Sequence, residues 1–434
     1  MDGSRLLGLV GIATMLLLAV LLSYDRRHIN WRRVASGLAL QAGLAILMLR
    51  TGAGQALFAR VGMIFNALLR FQEQGARFVF GNLVQLDLAV GVPGAGGVLD
   101  TSAGYVVRTG AMFAFSVIPT IIFLSALMAM LYYLGVMTFI MKGIGWLLQR
   151  TIKTSGAETL AAAANIFLGA GQVPLLIRPF VSRLTASELF SVMVVGFATA
   201  SSAVTAAYVA ILAPHIAGVA GNLMTASVLN ATAGLLLSKI FLPETGVPVT
   251  AGSLDITVEK TDSGVFDAIS NGALRGIQLA INIVAIVIAL VALVAMLNAA
   301  LGWAGGLVGY PGLSLQAIVG QLLRPLMWII GVPWGDTAYV GGLVGLKVSL
   351  VDLVAYRQLA TDLGSGMTLD PRSVVIATYV LLGFANVATI GVQIGVVGGL
   401  APERRSEVAR YGVRAMLAGN LAGFMSASLA GMLL

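Results

Sequence analysis

The sequence predicts an all-α polytopic membrane protein with eight transmembrane helices, two re-entrant hairpins and interfacial helices. Three observations predict it. Of 434 residues, 58% are hydrophobic and 10% charged, with a mean hydropathy of +0.95; soluble domains carry about 25% charged residues. Several apolar runs approach or exceed the ~18–20 residues that cross a ~30 Å hydrocarbon core, and they are continuous rather than alternating, which argues against a barrel. Two stretches, Glu158–Arg183 and Pro333–Ala360, are broken by Gly or Pro, and each precedes a second interrupted stretch, Phe190–Ala210 and Ser373–Val396.

The elements follow in order. Leu6–Ser23 is the first spanning helix, retained rather than cleaved, because Arg26, Arg27, Arg32 and Arg33 follow it and no small-residue cleavage signal does. That arginine loop marks the cytoplasmic side and puts the N-terminus outside. Val34–Leu49 is the second span. Between Thr51 and Asn82, Arg60, Arg70 and Arg77 recur among apolar residues, as in an amphipathic helix lying in the interface. Gly91–Gly97 reads as a loop, Ala111–Val136 as the third span and Met137–Ile152 as another interfacial helix.

Glu158–Leu168 as a helix is about 16 Å long, half a membrane. Gly169 and Gly171 break it, and Pro174 suits the first turn of a returning helix. The hairpin tip is therefore Gly169–Val173. The fourth span, Glu188–Leu212, carries the polar run Thr199, Ser201 and Ser202. Leu223–Phe241 is the fifth, Pro243–Asp267 a hydrophilic link and Gln278–Ala300 the sixth. Leu313–Ile330 is a further interfacial helix, Pro333–Ala360 the second hairpin, and Ser373–Val397 and Ser406–Leu434 the last two spans. Arg404, Arg405 and Arg410 place the loop between them in the cytoplasm, so both termini lie outside. GFA recurs at Gly196–Ala198 and Gly383–Ala385, after each hairpin, and suggests two related halves. The chain divides into 1–110, 111–245 and 246–434.

Paired, interrupted apolar segments in two halves point to a solute transporter. The net charge of +8 sits in flanks of apolar runs and does not imply nucleic acid. There is no cysteine, and His28 and His215 read as loop residues. Without an HExxH, GxSxG or GxxxxGKS pattern, neither an enzyme nor an ATP-driven pump is expected. Asp352 in the second hairpin is an intramembrane acid, which defaults to function or to pairing with Lys347. Gln172 stands at a half-helix N-terminus, as a solute partner or a cap. Asn386 and Thr389, three residues apart, would face one cavity. Phe384 would offer its ring only from an unwound segment. Asn165 and Thr199 offer oxygens beside expected backbone breaks, suited to a hard cation.

With these residues in view, the chain resembles the concentrative nucleoside transporters from about Phe113 onward. The matching stretches include NIFLG and PLLIRPF (Asn165–Phe180), TASVLNATAGLLLSKIFLPET (Thr225–Thr245), GLSLQAIVGQLLRPLMWIIGVPW (Gly312–Trp334), LVAY, GFAN (Gly383–Asn386) and GGLAPERR (Gly398–Arg405). The resemblance implies an inverted repeat, a homotrimer in the bacterial inner membrane, and a transport part that moves like an elevator. It implies a Na+ site at Asn165 and Thr199 with the backbone oxygens of Leu168 and Ala200, and no organic cofactor. The nucleoside site departs from the family pattern. GQTEAP becomes GAGQVP, so Ala170, Gly171 and Gln172 stand where Gln, Thr and Glu contact base and ribose. NEFVAY becomes VDLVAY around Asp352. GFANFSS becomes GFANVAT, keeping Phe384 and Asn386 and placing Thr389 at a serine. Val204 matches an apolar position near the base. The expectation is an intact Na+-coupled framework with a shifted substrate: a modified nucleoside, a larger nucleoside-like molecule or another polar solute. Proton coupling through Asp352 is the alternative.

Overall fold

Backbone N–H and C=O groups find no water in hydrocarbon, so a spanning chain must pair them internally. This chain does so with helices. The computed structural model describes residues 3–84, 87–89, 91–93, 99–100, 106–108, 113–251, 262–307 and 309–433.

Helix α1 (Gly3–Leu21) and α2 (Trp31–Arg50) flank the arginine loop. The segment expected in the interface is α3 (Gly52–Phe80), one unbroken helix of 29 residues whose length and hydropathy also suit a membrane crossing. Two short antiparallel ladders are the exceptions to a nearly all-helical fold: β1 (Asp87–Ala89) pairs with β4 (Val106–Arg108), and β2 (Val92–Pro93) with β3 (Leu99–Asp100). The expected loop at 91–97 thus begins in a strand; its residues 94–97 lie outside the described residues, as does the start of the expected third span at 111–112. That span is a π-helical turn at Phe113–Val117 continued by α4 (Ile118–Tyr133), and α5 (Val136–Ile152) follows.

The first hairpin is α6 (Gly156–Asn165), an irregular tip, and two single turns, α7 (Val173–Leu176) and α8 (Arg178–Val181). Pro174 and Pro179 each stand in the first turn of their helix, which is why the returning arm is two turns and not one helix. The fourth span is split into α9 (Ala186–Ala198) and α10 (Ser202–Leu212). α11 (Val219–Phe241) closes the first half. The second half runs α12 (Val265–Leu307), α13 (Leu315–Ile330), the hairpin α14 (Thr337–Ser349) and α15 (Asp352–Gly364), the split span α16 (Pro371–Leu381) and α17 (Val387–Leu400), and α18 (Arg405–Leu433).

Among the described residues, seven helices are long and apolar enough to cross a membrane. They include six of the eight expected spans. The first span is short in its described apolar part, the seventh is cut in two, and α3 adds one. α12 is 43 residues rather than the expected 23-residue run, about 64 Å at 1.5 Å per residue.

The polar, broken spans sit at the centre and the uniformly apolar ones outside. The apolar window of Ala186–Leu212 is 100% buried, whereas that of Val265–Leu307 is 6% buried. Backbone breaks need protein partners, and an unbroken apolar helix needs none.

The hairpins enter from opposite ends of the α9–α10 line. At the α9 end, Ser155 and Thr185 cap their helices in reciprocal boxes with Glu158 and Glu188, and Ser155 Oγ donates to Glu188. Lys239 joins them, 2.6 Å from Glu158 and donating to Ser187 Oγ at 2.9 Å. Arg404 caps the same end, donating to Leu184 O at 2.6 Å. At the α10 end, Gly364 closes the second hairpin against His215.

Candidate ion and solute site at three backbone breaks

Three interruptions of helix meet inside the protein. α6 stops at Asn165, and Phe167 O beyond it accepts from Ser202 N at 2.8 Å. That bond fastens the first hairpin to the gap between α9 and α10. Across the gap, Thr199 O accepts from Phe384 N at 3.2 Å, which fastens it to the gap between α16 and α17. The second junction requires Gly383. Its φ is +111, and a Cβ there would stand 2.5 Å from Ala198 O.

Each half-helix that ends in the membrane leaves carbonyls without intrahelical donors. Side chains from other helices serve them. Asn230 of α11 donates to Ala198 O at 3.0 Å and to Leu382 O at 3.5 Å. Lys347 of α14 donates to Val380 O at 2.9 Å and Leu382 O at 3.4 Å. Asn420 of α18 donates to Ala385 O at 3.0 Å, and Tyr356 to Thr378 O at 2.8 Å. N-terminal ends are capped locally: Ser201 Oγ accepts from Val204 N, and Asn386 Oδ1 from Thr389 N at 3.0 Å.

The residues expected to hold a cation lie on either side of the Phe167–Ser202 bond. Asn165 is 0% exposed, and neither its Oδ1 nor its Nδ2 has a partner. Thr199 ends α9 in extended conformation, with Oγ1 donating to Val195 O at 2.9 Å and its lone pairs still available. Ala200 is fully buried beside it, and Leu168 lies just past Phe167. A buried amide with no partner is costly unless something supplies one. No group of three His, Cys, Asp or Glu side chains occurs among the described residues, so neutral oxygens are what this junction offers a cation.

The residues expected to hold a solute are divided. Gln172 precedes α7 without capping it, and lines a cavity of about 870 Å³ between the first hairpin and α4, α5 and α12. Phe167, Leu168, Ser201 and Tyr132 share that wall. Gly171 faces α17, where a Cβ would lie 3.7 Å from Val392. Ala170 is buried against Gly196 of α9, and Val204 is buried in the core, so neither lines this cavity. Phe384 is on unwound backbone, as its use requires, with its ring 3.3 Å from where a Cβ on Gly169 would stand. Asn386 and Thr389 do not stand free on one helical face; the asparagine is the N-cap of α17, and the threonine hydroxyl also donates to it at 3.0 Å.

Asp352 forms no direct ion pair with Lys347, although the two buried charges act on each other. Its Oδ2 accepts from Tyr208 at 2.6 Å, its Oδ1 from Leu353 N, and it is 3% exposed. The first-hairpin tip and the second-hairpin turn nonetheless share a support. Both rest on α10, at Ser202 and at Tyr208, six residues or about 9 Å apart.

Sequence reasoning missed Tyr208, Asn230 and Asn420. The two asparagines lie within apolar spans, which was a readable signal. Tyr208 gave none.

Comparison with known proteins places this architecture. Residues 10–83 and 222–431 match the N- and C-terminal models of the Na+ dependent nucleoside transporter family, and residues 114–215 a nucleoside recognition model. The chain belongs to the concentrative nucleoside transporter family. Among its relatives are nucleoside permease NupC of Helicobacter pylori, 35% identical over 99% of this chain and 98% of that one, and human solute carrier family 28 member 3, 34% identical over 99% of this chain and 60% of that one. These relatives are transporters, not enzymes. CNTnw in an inward-facing substrate-bound state is 38% identical with a TM-score of 0.88, covering 99% of this chain and 98% of that one. A double variant of CNTnw in an outward-facing state gives the same score and identity, over 100% and 98%. A concentrative nucleoside transporter of this fold has thus been seen open to either side.

Proposed function

We propose that this chain is a Na+-coupled symporter that imports nucleosides or nucleoside-like solutes by alternating access. The observation that carries the coupling is Asn165: a wholly buried amide with both polar atoms unpaired, at the junction of two backbone breaks. Na+ would take oxygens of Asn165 and Thr199 with the backbone oxygens of Leu168 and Ala200. Solute would enter the cavity beside Gln172, with Gly171, Phe384, Asn386, Thr389 and Asp352 closing around it as the hairpins move relative to α4 and α12. The hairpins with α9–α11 and α16–α18 form the moving part, in elevator fashion, within a homotrimer of the cytoplasmic membrane whose termini face outward.

Substrate preference is shifted from that of the family. Gln172 lacks the charge of the usual Glu, and Gly171 lacks a hydroxyl, so partners for a ribose and base edge are lost. Uptake of labelled uridine and adenosine into proteoliposomes, with and without an inward Na+ gradient at fixed pH, tests both points. Na+-dependent accumulation at low affinity is expected. Accumulation driven only by a pH gradient refutes sodium coupling, and ordinary micromolar affinity refutes the shifted preference.

Asp352 favours a second reading, proton coupling. It is a buried carboxylate whose side-chain partner is a tyrosine hydroxyl, and the Lys347 ammonium acts on its charge without a direct ion pair. The same uptake assay separates the two.

A further inference from the structure

The two halves repeat one order of elements: a long helix, a shorter one, a hairpin, a split span and a closing helix. In the first half, the outgoing arm of the hairpin (α6) ends at Asn165, beside the broken end of α9. In the second, the outgoing arm (α14) carries Lys347 in its last turn, beside the broken end of α16. The positions correspond, but the chemistry does not. Asn165 brings unpaired polar atoms to its helix end. Lys347 brings an ammonium, 0% exposed, onto Val380 O and Leu382 O.

A helix C-terminus carries roughly half a negative charge and up to four carbonyls without intrahelical donors. In the membrane interior either a cation or neutral donors must answer them. The nearest acid in sequence, Asp352, accepts from Tyr208 and Leu353 N and forms no direct ion pair with Lys347; the two charges act on each other only at a distance, while both hydrogen bonds of the ammonium go to carbonyls of the helix end. Its charge is directed at the helix end.

We infer that Lys347 is a tethered cation, supplying to the second half the positive charge that a mobile cation supplies to the first. It is a positioning residue for the break that presents Phe384 and Asn386, and it leaves the second half without need of its own coupling ion. This inference rests on the ion-site reading above.

The test is Na+-dependent thermal stabilisation of the purified full chain, NaCl against choline chloride, with Na+-dependent uridine uptake alongside. Wild type should titrate with a Hill coefficient near 1. Lys347→Met should melt lower in choline, and its Na+ titration should steepen toward a Hill coefficient of 2 as a free ion takes the vacated position. Lys347→Arg should keep the wild-type coefficient. A Lys347→Met protein with wild-type midpoint and coefficient overturns the inference. Should Lys347→Met yield no folded protein, Lys347→Ala is prepared with ethylammonium or with propanol. Recovery of the fold by the ammonium alone supports a charge role; equal recovery, or none, overturns it. Asn165→Ala is run in parallel. If it titrates with Na+ as wild type does, the ion-site reading fails irrespective of Lys347.

Discussion

Replacing Gly383 by alanine should dismantle the junction between the two broken spans. The φ of +111 is one that a side chain strains against, at about 1–3 kcal/mol. The new Cβ would also stand 2.5 Å from Ala198 O, 2.8 Å from Ala198 C and 2.8 Å from Phe197 O. All three are backbone atoms, so no rotamer change relieves the clash, and overpacking adds about 1–3 kcal/mol. The total, about 2–6 kcal/mol, is a large part of a typical folding free energy of ~5–15 kcal/mol. The cheapest escape is to push residues 382–386 off α9, which breaks the Phe384 N–Thr199 O bond and moves the proposed ion ligands. Thermal unfolding in detergent and uptake in proteoliposomes are the assays. Gly383→Ala should melt well below wild type and lose Na+-dependent uptake. Gly391→Ala, in α17 with no atom within 4 Å of its would-be Cβ, is the control and should be neutral or stabilising by up to ~1 kcal/mol. A Gly383→Ala protein that melts and transports like wild type refutes the reasoning.

Other perturbations reach other links. Asn165→Ala should raise the Na+ concentration for half-maximal uptake about tenfold or more, roughly 1.4 kcal/mol or more of binding, while the melting point in choline chloride changes little. Lys239→Met leaves Glu158 buried without its cation 2.6 Å away, and should destabilise by about 3–5 kcal/mol, read as a lower melting temperature. Gly171→Thr with Gln172→Glu should tighten uridine or adenosine binding in a competition assay, since a Cβ at 171 meets only ordinary contacts at 3.7 and 3.9 Å. Asn386→Ala removes the N-cap of α17 and should cost about 0.5–2 kcal/mol in thermal stability, whereas Asn386→Asp should largely keep the cap.

Much of this was legible in the chain. Gly169, Gly171 and Pro174 announced the first hairpin, and the structure breaks there. The Ser155–Glu158 and Thr185–Glu188 spacings are capping boxes, a pattern written in the local sequence at each helix start. The GFA repeat misled in register. Gly196–Ala198 is the last turn of α9, but Gly383–Ala385 is unwound, so like sequence sits before one break and inside the other. Asn386 and Thr389 do come together, but as the N-cap of α17 and the residue it caps, not as two free side chains on a continuous helix.

Hydrophobicity and helix-breaking are properties of a residue and its near neighbours, so sequence alone determined that the chain lives in a membrane, where it is interrupted, and which polar residues are stranded there. Which donor answers which broken helix end is a long-range matter. Asn230 reaches a carbonyl at the end of α16, 152 residues away. Only the folded structure could direct Lys347 to α16 and Asp352 to Tyr208 instead of to each other, because that choice is set by packing distances between helices that no local pattern encodes.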